Sequence, residues 1–290
     1  MKIAFIGVGT MGKPMAANIA KAGHEVTVFD AEPGRAVQVA GEIGAHAAQR
    51  LSEIGAAELI VTMLPDGRAV REVATGKGGI ASVSKAGTVL VDMSSSQPLI
   101  TRETGVTLAA KGIALIDAPV SGGMERAIKG TLTIMIGSND AAALGKVRPV
   151  LESMGKTLFV VGGIGAGHAA KALNNVVAAC NYAVLAEAMQ IAERYQINQQ
   201  TLIDIINTST GQSFISTVVM KQFVLPGTFN TGFKVGLISK DVSIAAELGE
   251  QLSCEIPFIR LTDGRWIEAR DALGAGEDHS KAILAWEQDK

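Results

Sequence analysis

Three glycines, Gly7, Gly9 and Gly12, stand between a short apolar run, Lys2 to Gly7, and a segment with helical spacing, Met11 to Ala22. Strand, tight glycine turn and helix open a βαβ unit, and a second parallel strand must follow the helix. Glu25 to Asp30 supplies it. Gly7 permits the tight turn, Gly9 lets a pyrophosphate approach the backbone, and Gly12 lets the helix pack closely on the strand. The amides at the helix start, with those of Thr10 and Met11 central, then face an anion. Glycine-rich turns are common, but one placed between strand and helix, with an acid ending the next strand, is a dinucleotide-binding turn. Asp30 is spaced to hydrogen-bond both ribose hydroxyls and to repel a 2′-phosphate. NAD is therefore the expected cofactor, with NADP left open by the nearby Arg35.

The same alternation continues to about Gly162. Strands are predicted at Lys2 to Gly7, Glu25 to Asp30, Glu58 to Met63, Thr88 to Asp92, Ala114 to Val120, Thr131 to Ile136 and Leu158 to Val161. Several are apolar throughout, as strands covered on both faces are. Met11 to Ala22 and Pro98 to Lys111 read as crossover helices. After Gly162 and Gly163 the pattern changes. His168 to Arg194 contains neither Gly nor Pro and forms one long helix of about 40 Å. Helical patterns follow at Gln199 to Asn207, Ser239 to Gln251 and Pro257 to Ala272, without a convincing strand. The expected fold is α/β: an N-terminal Rossmann-like domain (1–163) and a C-terminal all-α domain (164–290), joined by the long helix.

The bulk properties exclude several classes of function. A net charge of −2 offers no basic face for nucleic acid and no polybasic tail for a membrane surface. No run reaches the roughly 18 uninterrupted apolar residues of a membrane helix. The apolar start after Lys2 is too short and glycine-broken for a secretory leader, so a cytoplasmic location is expected. Cys180 and Cys254 show neither CxxC nor zinc spacing; they read as buried apolar filler, and no metal is expected.

Three further segments carry chemistry. Asp117-Ala118-Pro119-Val120-Ser121-Gly122-Gly123 ends a strand with a hydroxyl and two unobstructed backbone amides, a set able to hold a carboxylate. Gly165-Ala166-Gly167-His168-Ala169-Ala170-Lys171-Ala172-Leu173-Asn174-Asn175 opens the long helix, with Asn174 and Asn175 three and four residues beyond Lys171 on a shared face. Together with Gly7-Val8-Gly9-Thr10-Met11-Gly12, and with Lys240-Asp241 and Asp278-His279-Ser280 further on, these resemble the β-hydroxyacid dehydrogenases, the group of 3-hydroxyisobutyrate dehydrogenase and tartronate semialdehyde reductase. The resemblance runs over nearly the whole chain, and the order of the motifs is much more specific than any one of them.

The resemblance implies an active site in the cleft between the two domains, with Lys171 as the catalytic lysine. The chemistry makes independent sense: hydride leaves carbon for nicotinamide only when the hydroxyl proton is removed, and a positioned amine can take and return it. Free lysine has a pKa near 10.4, so burial would have to lower it toward neutrality for base catalysis. By the same resemblance Asn175 orients the lysine and substrate, Asn174 lies beside it, Ser121, Gly122 and Gly123 bind the substrate carboxylate, and Met63, Leu64, Pro65, Ser96 and Lys240 contact cofactor. His168 departs from the family, whose residue there is commonly Gln or Asn. It places a titratable group next to the site and is assigned no catalytic role.

The expected activity is reversible NAD-dependent oxidation of a small 3-hydroxy acid to its semialdehyde, in a homodimer or homotetramer. The alternatives are an NADPH-dependent semialdehyde reductase of the tartronate or glyoxylate type, or a noncatalytic dinucleotide-binding protein. A decarboxylating 6-phosphogluconate enzyme would need a longer helical domain, and imine reductases usually lack the lysine.

Overall fold

The computed structural model describes residues 1–286 of the 290-residue chain. It divides into two compact units, Met1 to Lys171 and a second beginning at Ala172.

The first unit begins β1 (Lys2–Ile6), α1 (Gly12–Lys21), β2 (Glu25–Phe29), α2 (Arg35–Ile43) and β3 (His46–Ala47). It continues with β4 (Leu59–Thr62), α3 (Gly67–Thr75), α4 (Ile80–Val83), β5 (Val89–Asp92), α5 (Pro98–Ala109) and β6 (Ala114–Asp117). β7 (Val120–Ser121), α6 (Gly123–Lys129), β8 (Leu132–Gly137), α7 (Ala141–Met154) and β9 (Gly155–Gly162) complete it. The sheet order is β3-β2-β1-β4-β5-β6-β8-β7, with β9 pairing β8. β3 to β6 are mutually parallel, and β8 joins antiparallel to β6 and β7. Strand order reverses between β1 and β4, so the loops leaving those strands flank a switch point, the place where open α/β sheets bind ligands.

The strands are apolar on both sides because helices cover both. Ile3, Phe5, Leu59, Val61 and Val91 pack with Met15, Ile19, Val147 and Leu151 of α1 and α7. Their neighbours Ala4, Ile6, Ile60 and Leu90 pack with Ala74, Ile80 and Leu108 of α3, α4 and α5.

The second unit is helical. α8 (Ala166–Arg194) leads into it from the first, followed by α9 (Gln199–Asn207), a π-helical segment (Ile215–Val224), α10 (Val235–Gln251), α11 (Pro257–Leu273), a 3-10 turn (His279–Lys281) and α12 (Ala282–Trp286). Its core centres on Tyr182, Trp266, Trp286 and His279, whose rings meet at centroid separations of 5.3–6.3 Å. The Tyr182 hydroxyl donates to the Ser280 carbonyl (2.6 Å) and the Trp266 indole N–H to that of Ala179 (3.2 Å). The polar tips of the buried rings are thereby partnered.

The expected α/β architecture stands, with local corrections. Ala114 to Val120 is not one strand: Pro119, which has no N–H for a ladder, separates β6 from β7 as the chain turns from a parallel to an antiparallel neighbour. Helix α10 starts four residues before Ser239, and a single bridge, Lys234 to Asp278, joins segments of the second unit. Of the two cysteines expected as buried filler, Cys180 packs against the core of the second unit and Cys254 does not. Cys180 is half-buried, and Cys254 is exposed where the chain leaves α10 through the left-handed Ser253 (φ 55°).

The Asp278-His279-Ser280 segment closes the second unit. Asp278 accepts from Thr231 Oγ1 (2.9 Å), the Gly232 amide (2.8 Å) and Ser280 Oγ (2.6 Å). Burial opposes its charge, but the donors of Ser280, Thr231 and Gly232 hold its carboxyl below the usual range. Burial pushes His279 down, against the pull of the Asp278 charge and the Phe233 carbonyl. A histidine depressed in the folded chain stabilises fully above its unfolded pKa, and that contribution is lost as pH falls below it. The melting temperature is accordingly expected to decline as pH drops below the free-imidazole value of 6.5. A second loss, from Asp278, begins below the free-carboxyl value of 3.8. Scanning calorimetry across pH checks this, and a His279→Phe variant that kept the upper step would assign it elsewhere.

Candidate active site

The glycine turn is built by close approach of backbones. Gly7 has φ +91°, and a Cβ on it would lie 2.3 Å from the Met63 carbonyl oxygen. A Cβ on Gly12 would lie 1.9 Å from the Gly7 carbonyl oxygen, whereas one on Gly9 would meet nothing within 4 Å. Gly7 and Gly12 are thus required by the fold, and Gly9 keeps open the space in front of α1. Met11, at the N-cap of α1, makes no side-chain hydrogen bond to its first turn, which leaves that turn open to an outside anion. A dinucleotide fits this cradle.

Asp30, at the end of β2, buttresses the turn. Its Oδ2 accepts the Val8 amide (2.9 Å), and its Oδ1 accepts the Glu32 amide (2.9 Å) and Arg35 Nη1 (3.3 Å). Arg35 also pairs with Glu32, so the three charged side chains sum to −1. Across the switch point, Met63, Leu64 and Pro65 leave β4 against Gly7, and the Leu64 amide donates to Ser94 Oγ (2.9 Å). Ser96 follows β5. It is buried, and its hydroxyl donates to Asp92 Oδ2 (2.8 Å).

The Ser121 loop leaves β7 through two glycines of positive φ, Gly122 at +135° and Gly123 at +66°. Gly122 and Gly123 are exposed, and Ser121 is half-buried beside Thr133.

The start of α8 is anchored from below. Asp117, fully buried at the end of β6, accepts the Gly165 amide on Oδ1 (2.8 Å) and the His168 amide on Oδ2 (2.9 Å). It thereby serves as the helix N-cap from another element. Burial pushes its carboxyl up, while the charge of His168 and these two amides pull it down. A Cβ on Gly167 would lie 2.3 Å from the Met135 carbonyl oxygen, so this glycine lets α8 rest on β8. Lys171, half-buried, comes one turn later.

Beyond it, within the second unit, Asn175 is buried and donates from Nδ2 to Asp241 Oδ2 on α10 (2.6 Å). A carboxylate can only accept, so this bond fixes which end of the amide faces it. Asn175 Oδ1 accepts from the exposed Asn174 (3.0 Å). Lys240 Nζ lies 3.7 Å from Asp241 Oδ1.

Sequence reading gave no role to Asp92, Asp117 or Asp241. The first two had a readable signal, since each is an acid ending an otherwise apolar parallel strand, on the edge where such sheets bind ligands. Asp241 was marked only by its place beside Lys240 in a motif that carries the resemblance. No group of three or more His, Cys, Asp or Glu among the described residues is arranged to hold a metal ion, and no helix among them is long and apolar enough to cross a membrane.

Fold and turn together define an NAD(P)-binding oxidoreductase, and the relatives narrow the class. Residues 2–163 match the family of the NAD-binding domain of 6-phosphogluconate dehydrogenase, and residues 165–286 match the NAD-binding family of NADP-dependent 3-hydroxyisobutyrate dehydrogenase. The chain is 41% identical over 290 residues to 2-(hydroxymethyl)glutarate dehydrogenase of Eubacterium barkeri, covering 99% of this chain and 95% of that protein. It is 33% identical over 288 residues to 2-hydroxy-3-oxopropionate reductase of Escherichia coli, covering 99% and 97%. A solved structure of 3-hydroxyisobutyrate dehydrogenase from Mycobacterium tuberculosis with L-serine superposes with a TM-score of 0.90 at 31% identity, covering 98% of each chain. The chain belongs to the β-hydroxyacid dehydrogenase family, enzymes acting on CH–OH groups.

Proposed function

We propose that this protein catalyses the reversible oxidation of the primary alcohol of a small 3-hydroxy acid to its semialdehyde, with NAD as the preferred cofactor. The observation that carries the reading is the pair Lys171 and Asn175, one helical turn apart on α8, with the Asn175 amide held in one orientation by Asp241. The nicotinamide, when bound, supplies the hydride acceptor. Lys171 takes the hydroxyl proton in oxidation and returns it in reduction. Asn175 aligns lysine and substrate, with Asn174 beside it, and the Ser121 hydroxyl with the Gly122 and Gly123 amides holds the carboxylate. Met63, Leu64, Pro65, Ser96 and Lys240 complete the cofactor side. The relatives' names share one chemistry, a carboxylate and a CH2OH or CHO group on the same carbon, which supports this substrate class.

NAD is preferred because the Asp30, Glu32 and Arg35 group is net negative and meets a 2′-phosphate with like charge. Purified protein assayed at 340 nm on 3-hydroxyisobutyrate, 2-(hydroxymethyl)glutarate, glycerate and their semialdehydes is expected to turn over at least one pair. Its kcat/KM with NAD should exceed that with NADP by about tenfold or more, the size of a single charge clash. Turnover with NADP alone would overturn the cofactor assignment. Binding of NADH without turnover on any pair would favour a dinucleotide sensor.

Leu173, Val177, Val184 and Ile191 leave an exposed apolar stripe along α8, at 48–68% exposure. Its steps of four, seven and seven residues keep these side chains on one helix face, which suits helix-on-helix burial. We place the subunit contact of a homodimer or homotetramer on this helical part. Sedimentation equilibrium showing a monomer at micromolar concentration would contradict it.

A further inference from the structure

Under the sheet edge that faces the ligand side lies a buried set of polar groups that the reaction above leaves unused. Asp92 ends β5, Asp117 ends β6, and His168 stands in the first turn of α8; each is at most 1% exposed. Asp92 accepts Thr62 Oγ1 (2.9 Å) and the Ser94 amide (3.0 Å) on Oδ1 and Ser96 Oγ (2.8 Å) on Oδ2. Asp117 is committed to the amides of Gly165 and His168. Each carboxylate is therefore surrounded by donors.

The histidine ring bridges two elements. Its Nδ1 lies 2.8 Å from Thr101 Oγ1, on α5, whose hydroxyl also lies 3.1 Å from the Gln97 carbonyl oxygen. Nε2 points at Asp92 Oδ2 from 3.5 Å, inside the range of charge attraction, yet is buried without a hydrogen-bond partner. A hydrogen on Nε2 makes this contact one between a donor and a carboxylate, which can only accept. The charged groups facing the ring are Asp92 from β5 and Asp117 from β6, whose Oδ2 is 3.9 Å from Nδ1; α5 contributes the neutral Thr101.

We infer that His168 is a positioning residue that clips the first turn of α8, three residues before Lys171, to the Asp92–Ser96 loop. The elements it joins carry separate parts of the site. Asp92 fixes the Ser96 hydroxyl and, through Ser94 Oγ, the Leu64 amide of the loop against the glycine turn. On the helix side, Asp117 holds the backbone of the turn that leads to Lys171. His168 is the side chain spanning the two. This buried ring thereby ties the cofactor-side loop to the lysine-bearing helix.

The inference rests on the dinucleotide-dependent reading of this site, so the test separates the two. His168→Gln retains a donor in a comparable volume, and His168→Leu removes all polarity; the pair guards against a variant that fails to fold. Three readings are taken from each protein: kcat and KM for hydride transfer, the Kd of NADH, and the melting temperature. We expect a lysine misplaced by a fraction of an ångström to lower kcat/KM by about tenfold in His168→Gln and more in His168→Leu. NADH affinity should fall less than kcat/KM does. The loss should fall on kcat more than on KM, and His168→Gln should keep part of the rate that His168→Leu loses. Variants that match wild type in kcat and KM would overturn the clip, as would a fall in NADH affinity equal to the fall in kcat/KM. Failure of wild type to bind NADH would strike the dinucleotide reading instead. In that event the melting temperatures of the variants still decide whether His168 holds the loop to the helix.

Discussion

Lys171→Ala is expected to lower kcat/KM by roughly two to four orders of magnitude, the range a positioned proton-transfer group supplies, while leaving the Kd of NADH within about twofold of wild type. Proton transfer is demanded only in the transition state, so the loss should appear in kcat as much as in kcat/KM. A small primary amine added to the variant should restore part of the rate, because it can occupy the volume vacated by the side chain and carry the same proton. The substitution sits inside a helix whose first turn is held by Asp117, and alanine is the best helix former, so the fold should not suffer. A rise in KM with kcat intact would mean that the ammonium holds the carboxylate, and the proton carrier would have to be sought elsewhere.

Gly12→Ala is expected to be the more damaging change to the molecule as a whole. The added Cβ would stand 1.9 Å from the Gly7 carbonyl oxygen and 3.0 Å from Phe5 Cε1, so α1 must lift off β1. Overpacking of this kind costs about 2–3 kcal/mol, a drop of roughly 5 °C or more in melting temperature. NADH affinity should fall by about tenfold or more with it, since the displaced helix start is what faces the pyrophosphate. Gly9→Ala provides the contrast. Its Cβ meets nothing within 4 Å, so the melting temperature should hold or rise slightly while NADH affinity is lost. Equal melting losses in the two variants would contradict the distinct roles given to these glycines.

What could be read in advance follows from the range of the interactions involved. The βαβ alternation, the glycine turn and the long α8 are local in sequence, since periodicity and steric need declare themselves within a dozen residues. The break at Pro119 was equally local, but the apolar residues on either side disguised two short strands as one. Asp92, Asp117, Thr101 and His168 lie on four separate elements and become a cluster only when β5, β6, α5 and α8 meet. No spacing along the chain marks them. Asp241 is the same case at greater distance: its bond to Asn175 joins residues 66 apart, and nothing near either announces the other. Cys254 misled because its residue type is usually interior, whereas its position after the left-handed Ser253 places it on a bend.

The continuity of α8 also dictates where this polypeptide can be divided. The border between the compact units falls at Lys171 and Ala172, within a 29-residue helix that contains no proline and no glycine after Gly167. A fragment ended at that border would keep the lysine on a frayed stub of less than two turns, and its complement would begin in mid-helix without a cap. Nicking or permutation belongs instead in the glycine-rich segment before Ala166, where Gly162 and Gly165 already adopt positive φ. Split reporters or recombined halves of two homologues should therefore be joined at that segment, which hands the whole helix, Lys171 and Asn175 included, to one parent.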